Sequence, residues 1–224
     1  MAMKSRAKAG AADSIDLSAY PQAYLVPALL KVLGDYLTNG HGAGPVLDLG
    51  CGDGTLDQYL EAIGYTMIGI DADKSRIRAA KRRDPNGHYA VGSAYENLHA
   101  KYGTFPAVIS IEVVEHVFDP HRFADTVFSL LEPGGVAIIT TPYHGYLKNL
   151  ALALSGRMDR HFTALWPGGH VKFWSVKTIS ELLSGAGLAV EQVIRVGRVP
   201  PLARSMLIVA RKPPGRQPDA GQVH

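Results

Sequence analysis

Cysteine is nearly absent: Cys51 is the only one in 224 residues. No intramolecular disulfide can form, and a reducing compartment is the expected home. Long apolar runs are missing as well, and none approaches the ~20 residues of a transmembrane helix. The basic N-terminus leads into no apolar stretch, so no signal peptide is expected and the reading is a cytoplasmic protein. An excess of one charge is also lacking. Lys+Arg at 23 against Asp+Glu at 20 leave a formal +3, part of it carried by the two ends. Without a dense Lys/Arg run, no nucleic-acid partner is expected. There is no Gly-Lys-Ser/Thr, which excludes a P-loop, and there are no internal repeats.

What is present suits one α/β domain. A chain that is 46% hydrophobic and 19% charged can bury a sizeable core at this length. Residues 1–14 and 213–224 are small, basic or Pro/Gly-rich and read as disordered tails, which leaves 15–212 as the domain. Helical periodicity predicts helices over 24–37, 55–63, 74–83, 121–131 and 176–186. Strands are expected at 46–49, 67–70, 88–91, 107–111, 136–141, 190–196 and 205–210, with a turn at 132–135. The βαβ alternation argues for a doubly wound parallel sheet. A short Pro-containing link before the last strand argues that this strand is antiparallel.

The densest signal is Asp48-Leu49-Gly50-Cys51-Gly52-Asp53-Gly54. An apolar strand runs into glycines at alternate positions, and a helix follows. Such a turn lets backbone approach a ligand at the helix N-terminus. The G-x-G-x-G spacing differs from the dinucleotide fingerprint G-x-G-x-x-G, which disfavours a nicotinamide dehydrogenase. Asp71 ends the second strand about 20 residues on, where a carboxylate meets a ribose. Cys51 reads as packing within the turn.

A second cluster, Glu112, Glu115 and His116, follows the fourth strand. If that stretch is helical, the three side chains share one face. Two readings stay open there. The cluster holds a divalent ion, or His116 acts as a general base tuned by a carboxylate. Segment 143–173 is apolar and aromatic and reads as a lid, with a short helix at 147–154 that closes over an acceptor or touches a membrane surface.

The glycine motif resembles the first motif of class I S-adenosylmethionine-dependent methyltransferases. Glu112-Val-Val-Glu-His-Val-Phe-Asp-Pro resembles the fourth motif of the ubiquinone-biosynthesis O-methyltransferases, and Leu131-Glu-Pro-Gly-Gly and Gly169-His170-Val171-Lys172-Phe173 extend the likeness. The resemblance implies a Rossmann-like sheet of seven strands with the last reversed. It also implies S-adenosylmethionine bound by Asp48, Gly50, Cys51, Gly52, Gly54, Asp71, Ala72, Ser93, Ala94 and Ile111. Ser93 stands where that family commonly carries an acid. Mg²⁺ held by Glu112, Glu115 and His116 is implied too, with catalysis by the same three residues. The family's N-terminal helix carries a cofactor-reaching arginine; here Leu29 takes that place and Lys31 is the nearest cation. Tyr143, His144 and His170 are the candidates for acceptor contact. The implied partner is a small aromatic or apolar acceptor, with lipid, sugar and natural-product acceptors as alternatives. A non-catalytic cofactor-binding scaffold is the reading from another class.

Overall fold

The computed structural model describes residues 15, 17, 18, 20–38, 44–162 and 164–215. The tail expected at 1–14, residues 216–224 of the tail expected at 213–224, and residues 39–43 lie outside the described residues. The strands are β1 (Val46–Leu49), β2 (Met67–Asp71), β3 (His88–Val91), β4 (Phe105–Ile111), β5 (Leu131–Pro142), β6 (Ala189–Val196) and β7 (Ser205–Arg211). They form one sheet in the order β3-β2-β1-β4-β5-β7-β6. Neighbours from β3 to β5 pair in parallel, and β7 runs antiparallel to both β5 and β6. The expected seven-stranded, mostly parallel sheet with a reversed last strand is the observed one.

Helices cover both faces: α1 (Val26–Thr38), α2 (Thr55–Ala62), α3 (Lys74–Arg83), α4 (Leu98–Tyr102), α5 (Pro120–Leu130), α6 (Tyr146–Leu154), α7 (Met158–Phe162) and α8 (Val176–Gly185). The two faces follow from strand alternation. Val46, Ala107, Ile109 and Ile111 pack with Leu29, Leu33 and Tyr36 of α1 and Leu56 and Leu60 of α2. Leu47, Leu49 and Val108 face the other way, onto Phe123 and Val127 of α5 and Ile179 and Leu183 of α8. Because β1 and β4 are buried along their whole length, they read as apolar runs rather than alternating ones.

The turn expected at 132–135 lies inside β5. Leu131 pairs with Phe105 and Val136 with Ala107, so two steps on β4 face five on β5. The extra residues loop out of the ladder, and Gly134 takes φ +83° there. Helices α4 and α7 were not expected. Five residues each are too short to show a period, and Asn97 starts α4 by capping the Ala100 N–H at 3.2 Å. Pro27 is tolerated because it is the second residue of α1. Among the described residues no helix is long and apolar enough to cross a membrane.

Candidate active site

The glycine turn is held from both sides. Gly50, Gly52 and Gly54 take φ of +97°, +60° and +73°. A Cβ on Gly50 would collide with Val113, and one on Gly54 would come within 2.8 Å of the Tyr89 ring. The Gly50 N–H donates to the Ile70 carbonyl at 2.7 Å, which ties the turn to β2. Asp71, at the end of β2, accepts from the Gly52 N–H at 2.9 Å through Oδ2 and from the Asp73 N–H at 2.7 Å through Oδ1. Each carboxylate oxygen keeps a second lone pair for a ligand hydroxyl.

A cavity of about 1460 Å³ opens above this turn. It exceeds the ~300–1,000 Å³ of an ordinary ligand pocket, so it has room for two small molecules. Of the residues expected to hold a cofactor, Gly50, Cys51, Gly52, Asp71, Ala72, Ser93, Ala94 and Ile111 line it. Asp48 and Gly54 do not. Asp48 is buried beneath the turn, and Gly54 sits over Tyr89 at the start of α2. Both shape the cradle from behind. Burial pushes the Cys51 thiol up, so it stays protonated and packs.

Asp48 shares its buried position with Asp57 of α2, which is 0% exposed. Among the described residues, Asp48 Oδ1 and both Asp57 oxygens lack a hydrogen-bond donor. Two carboxyls this close favour keeping a proton on one of them, which can then donate to the other. Burial accordingly pushes Asp48 up to about 7 and Asp57 well above the carboxylate range.

The second cluster differs from the expected one. Residues 112–117 form a turn, not a helix. Glu112 has φ +55°, the only described non-glycine residue with positive φ. The left-handed kink turns its side chain away from the others. Glu112 Oε2 accepts from Ser205 Oγ at 3.3 Å, and that hydroxyl also meets Tyr24 Oη at 2.7 Å. In place of Glu112, His170 joins Glu115 and His116; one ligand atom from each lies within 4.8 Å of the others. Glu115 Oε2 accepts from Thr141 Oγ1 at 3.1 Å, while Oε1 has no hydrogen-bond partner among the described residues and lies 4.0 Å from His170 Nε2. Burial first, then the charge of Glu112, raises the Glu115 carboxyl well above its usual range. Burial lowers His116 and His170, so both imidazoles are neutral at neutral pH.

The lid is pinned to this turn. The Glu115 carbonyl accepts from the Val171 and Lys172 N–H groups at 2.9 and 3.0 Å, and Trp174 Nε1 donates to the Val114 carbonyl at 3.2 Å. These bonds bring His170 into the cavity wall with Trp166, Pro167 and Gly168. Tyr143 and His144 are not brought there. Tyr143 is buried under Arg195, and its carbonyl accepts from Lys148 at 2.7 Å. His144 is buried among His161, Phe162 and Phe173, and burial lowers it to about 4. Leu29 is a core residue, and Lys31 pairs with Asp35 on the outer face of α1. Tyr20 and Gln22, from the segment before α1, line the cavity instead, as do Tyr95, Phe118 and Arg76. Apart from Phe118, which lies in the Glu112–Pro120 motif, no local pattern in the sequence marked these residues.

The family model described as a methyltransferase domain matches residues 21–193. A ubiquinone biosynthesis O-methyltransferase of Caulobacter sp. (strain K31) is 34% identical over 151 residues, covering 62% of this chain and 58% of that protein. The mitochondrial ubiquinone biosynthesis O-methyltransferase of Homo sapiens is 35% identical over 159 residues, covering 66% of this chain and 42% of that protein. The chain thus spans about half the length of these curated relatives. A solved S-adenosylmethionine-dependent methyltransferase from Mesorhizobium loti has the same fold, with a TM-score of 0.63 at 20% identity over 84% of this chain and 98% of that one. The magnesium protoporphyrin IX methyltransferase of Synechocystis PCC 6803 with bound SAH gives 0.61 at 17%, over 84% and 80%.

Proposed function

The chain belongs to the methyltransferase-domain family, and from that premise we propose that it methylates an oxygen of a small aromatic or apolar acceptor, with S-adenosylmethionine as donor. One observation carries the reading: a single cavity joins the Gly50–Gly52–Asp71 cradle to Glu115, His116 and His170. The donor set fits the cofactor. Asp71 suits a ribose diol, the glycine backbone suits close approach, and Ile111 and Ala94 suit an adenine face. When bound, the cofactor supplies an activated methyl on a sulfonium: the S–C bond breaks, an O–C bond forms and a thioether leaves.

The chain's own residues supply placement and proton handling. His116 is half-buried and neutral, hence able to take the acceptor's hydroxyl proton. Thr141 holds Glu115 in place, and Glu115 in turn faces His170. Trp166 and Phe118 give the mouth apolar walls for a ring. The test supplies S-adenosylmethionine with a labelled methyl to a panel of phenols and catechols. Wild type should label at least one acceptor. His116→Ala should cut turnover by about 10²-fold or more while keeping its affinity for S-adenosylhomocysteine. Binding of S-adenosylhomocysteine without any methyl transfer would favour the scaffold reading.

A metal reading is favoured by the buried, unpartnered Glu115 Oε1. Glu115, His116 and His170 would hold the ion, and Glu112 stands apart from them. One carboxylate with two imidazoles suits a borderline divalent ion better than Mg²⁺, which prefers oxygen. Such an ion would lower an acceptor hydroxyl's pKa.

The lid also supports contact with a lipid surface. Tyr146, Leu147 and Leu154 of α6 and Leu165 beyond α7 are 77%, 55%, 81% and 99% exposed. Exposed Arg157 and Arg160 stand beside them. An apolar face edged with cations matches an anionic bilayer.

A further inference from the structure

Asp57 is an acid on an apolar face. It shares the buried side of α2 with Leu56 and Leu60, where a carboxyl is rare unless a cation pairs with it. Among the described residues, neither Asp57 nor Asp48 has a salt bridge. Room for the acid comes from β2. Asp48 stands opposite Gly69 across β1 and β2, and a Cβ on Gly69 would collide with Asp57 Oδ2 and come within 2.8 Å of Cys51 Sγ. The two carboxyls thus lie together on one side of the β1–β2 floor, beneath Cys51 of the turn that lines the cavity. The groups that face them bring no positive charge. Tyr20 before α1, Cys51 in the turn and Tyr89 on β3 are raised by burial and stay protonated. Glu61 on α2, Asp71 on β2 and Asp84 after α3 are acids, and Arg83 is paired with Asp53. Burial keeps the pair protonated in acid, and Asp48 loses its proton first, at about 7. Rising pH therefore places one negative charge under the turn.

We propose that the Asp48–Asp57 pair selects S-adenosylmethionine over S-adenosylhomocysteine by holding a negative charge beneath the glycine turn. This rests on the methyl-transfer reading above. With the ribose at Asp71 and the acceptor's hydroxyl at His116, the sulfonium lies between them, over this floor. Methyl transfer turns the sulfonium into a neutral thioether, so the two ligands differ by one positive charge. The buried charge attracts the first and has nothing to attract in the second. Neither carboxyl lines the cavity, so the pair acts through its field, holding the charged substrate and easing release of the spent one.

Calorimetry on the full chain tests this, with both ligands titrated at pH 5.5 and pH 8 into wild type, Asp57→Asn and the double variant Asp48→Asn with Asp57→Asn. The readout is the ratio of the two affinities, in which titration of the amino-acid end that both ligands share cancels. Glu61, Glu112 and Glu115 also carry raised carboxyls, but all three proteins keep them, so the comparison is between proteins at each pH. In Asp57→Asn an amide supports an ionised Asp48 at both pH values. Its preference for S-adenosylmethionine should exceed that of wild type by about 3-fold or more at pH 5.5 and meet it at pH 8. The double variant has no charge to offer; it should match wild type at pH 5.5 and fall short by a similar factor at pH 8. Equal preference in wild type and Asp57→Asn at pH 5.5 overturns the proposal, whether or not the double variant folds. Wild type that binds neither ligand removes the methyl-transfer reading, and the proposal with it.

Discussion

Replacing Asp57 with asparagine should remove a pH-dependent weakness beneath the glycine turn. In the unfolded chain both Asp48 and Asp57 ionise near pH 4. In the fold, burial raises Asp48 to about 7 and Asp57 well above its usual range. The native state therefore binds more protons than the unfolded state between those limits. A raised carboxyl pKa gives stability that is complete below about pH 4 and lost as pH climbs through the folded value. For Asp48 alone, about three pH units at 1.36 kcal/mol each come to ~4 kcal/mol across pH 4–7. Asp57 extends the loss above pH 7. An asparagine amide at 57 would donate to the Asp48 carboxylate and end the need for a shared proton. Asp57→Asn should differ from wild type by no more than ~1 kcal/mol at pH 5. At pH 8 it should be the more stable of the two, because Asp57, raised by burial and by the charge of Asp48, no longer has to keep a proton in the fold. Urea denaturation at half-unit intervals from pH 5 to 8 measures both curves. Glu61, Glu112 and Glu115 also carry raised carboxyls, so the wild-type slope alone is not diagnostic; the difference between the curves is. Parallel curves would refute the shared proton.

Asp71→Ala should weaken S-adenosylhomocysteine binding by about 2 kcal/mol, roughly 30-fold, because the ribose loses its acceptor and the Gly52 N–H its anchor. Unchanged affinity by calorimetry removes the ribose role. Since His116 is lowered from its usual value, the acidic limb of kcat should fall below pH 6.5, and that limb should be lost in His116→Ala. Elemental analysis checks the metal reading: His170→Ala should lose the bound ion and Glu112→Gln should keep it, whereas the reverse pattern would restore the Glu112 set. Leu154→Glu with Leu165→Glu should abolish sedimentation with anionic vesicles; equal sedimentation of this double variant would remove the lid from membrane contact.

Most of the fold was legible because its signals are local. Apolar runs marked the buried parallel strands, and Gly50, Gly52 and Gly54 marked a turn that only positive φ can make. Asp71 was legible because its distance from that turn is set by one βα unit. The short helices α4 and α7 were not, since one turn of helix carries no period.

The cluster after β4 shows where local reasoning ends. Glu112, Glu115 and His116 are adjacent in sequence, and a helix would have aligned them. The backbone instead kinks at Glu112, so one member is swung toward Ser205. Its place beside Glu115 is taken by His170, 55 positions further along the chain and held there by lid backbone bonded to the Glu115 carbonyl. Tyr20, Gln22 and Arg76 enter the cavity from separate elements in the same way. Residue types and spacing by themselves determined the strands and the glycine turn, because those signals lie within a few residues of one another, and the motif's resemblance to a known family gave the kind of cofactor. Which acids are buried together, which histidine completes the cluster and which cations line the cavity were decided only by tertiary structure, because those contacts join segments whose distance apart is set by how the helices and lid pack on the sheet.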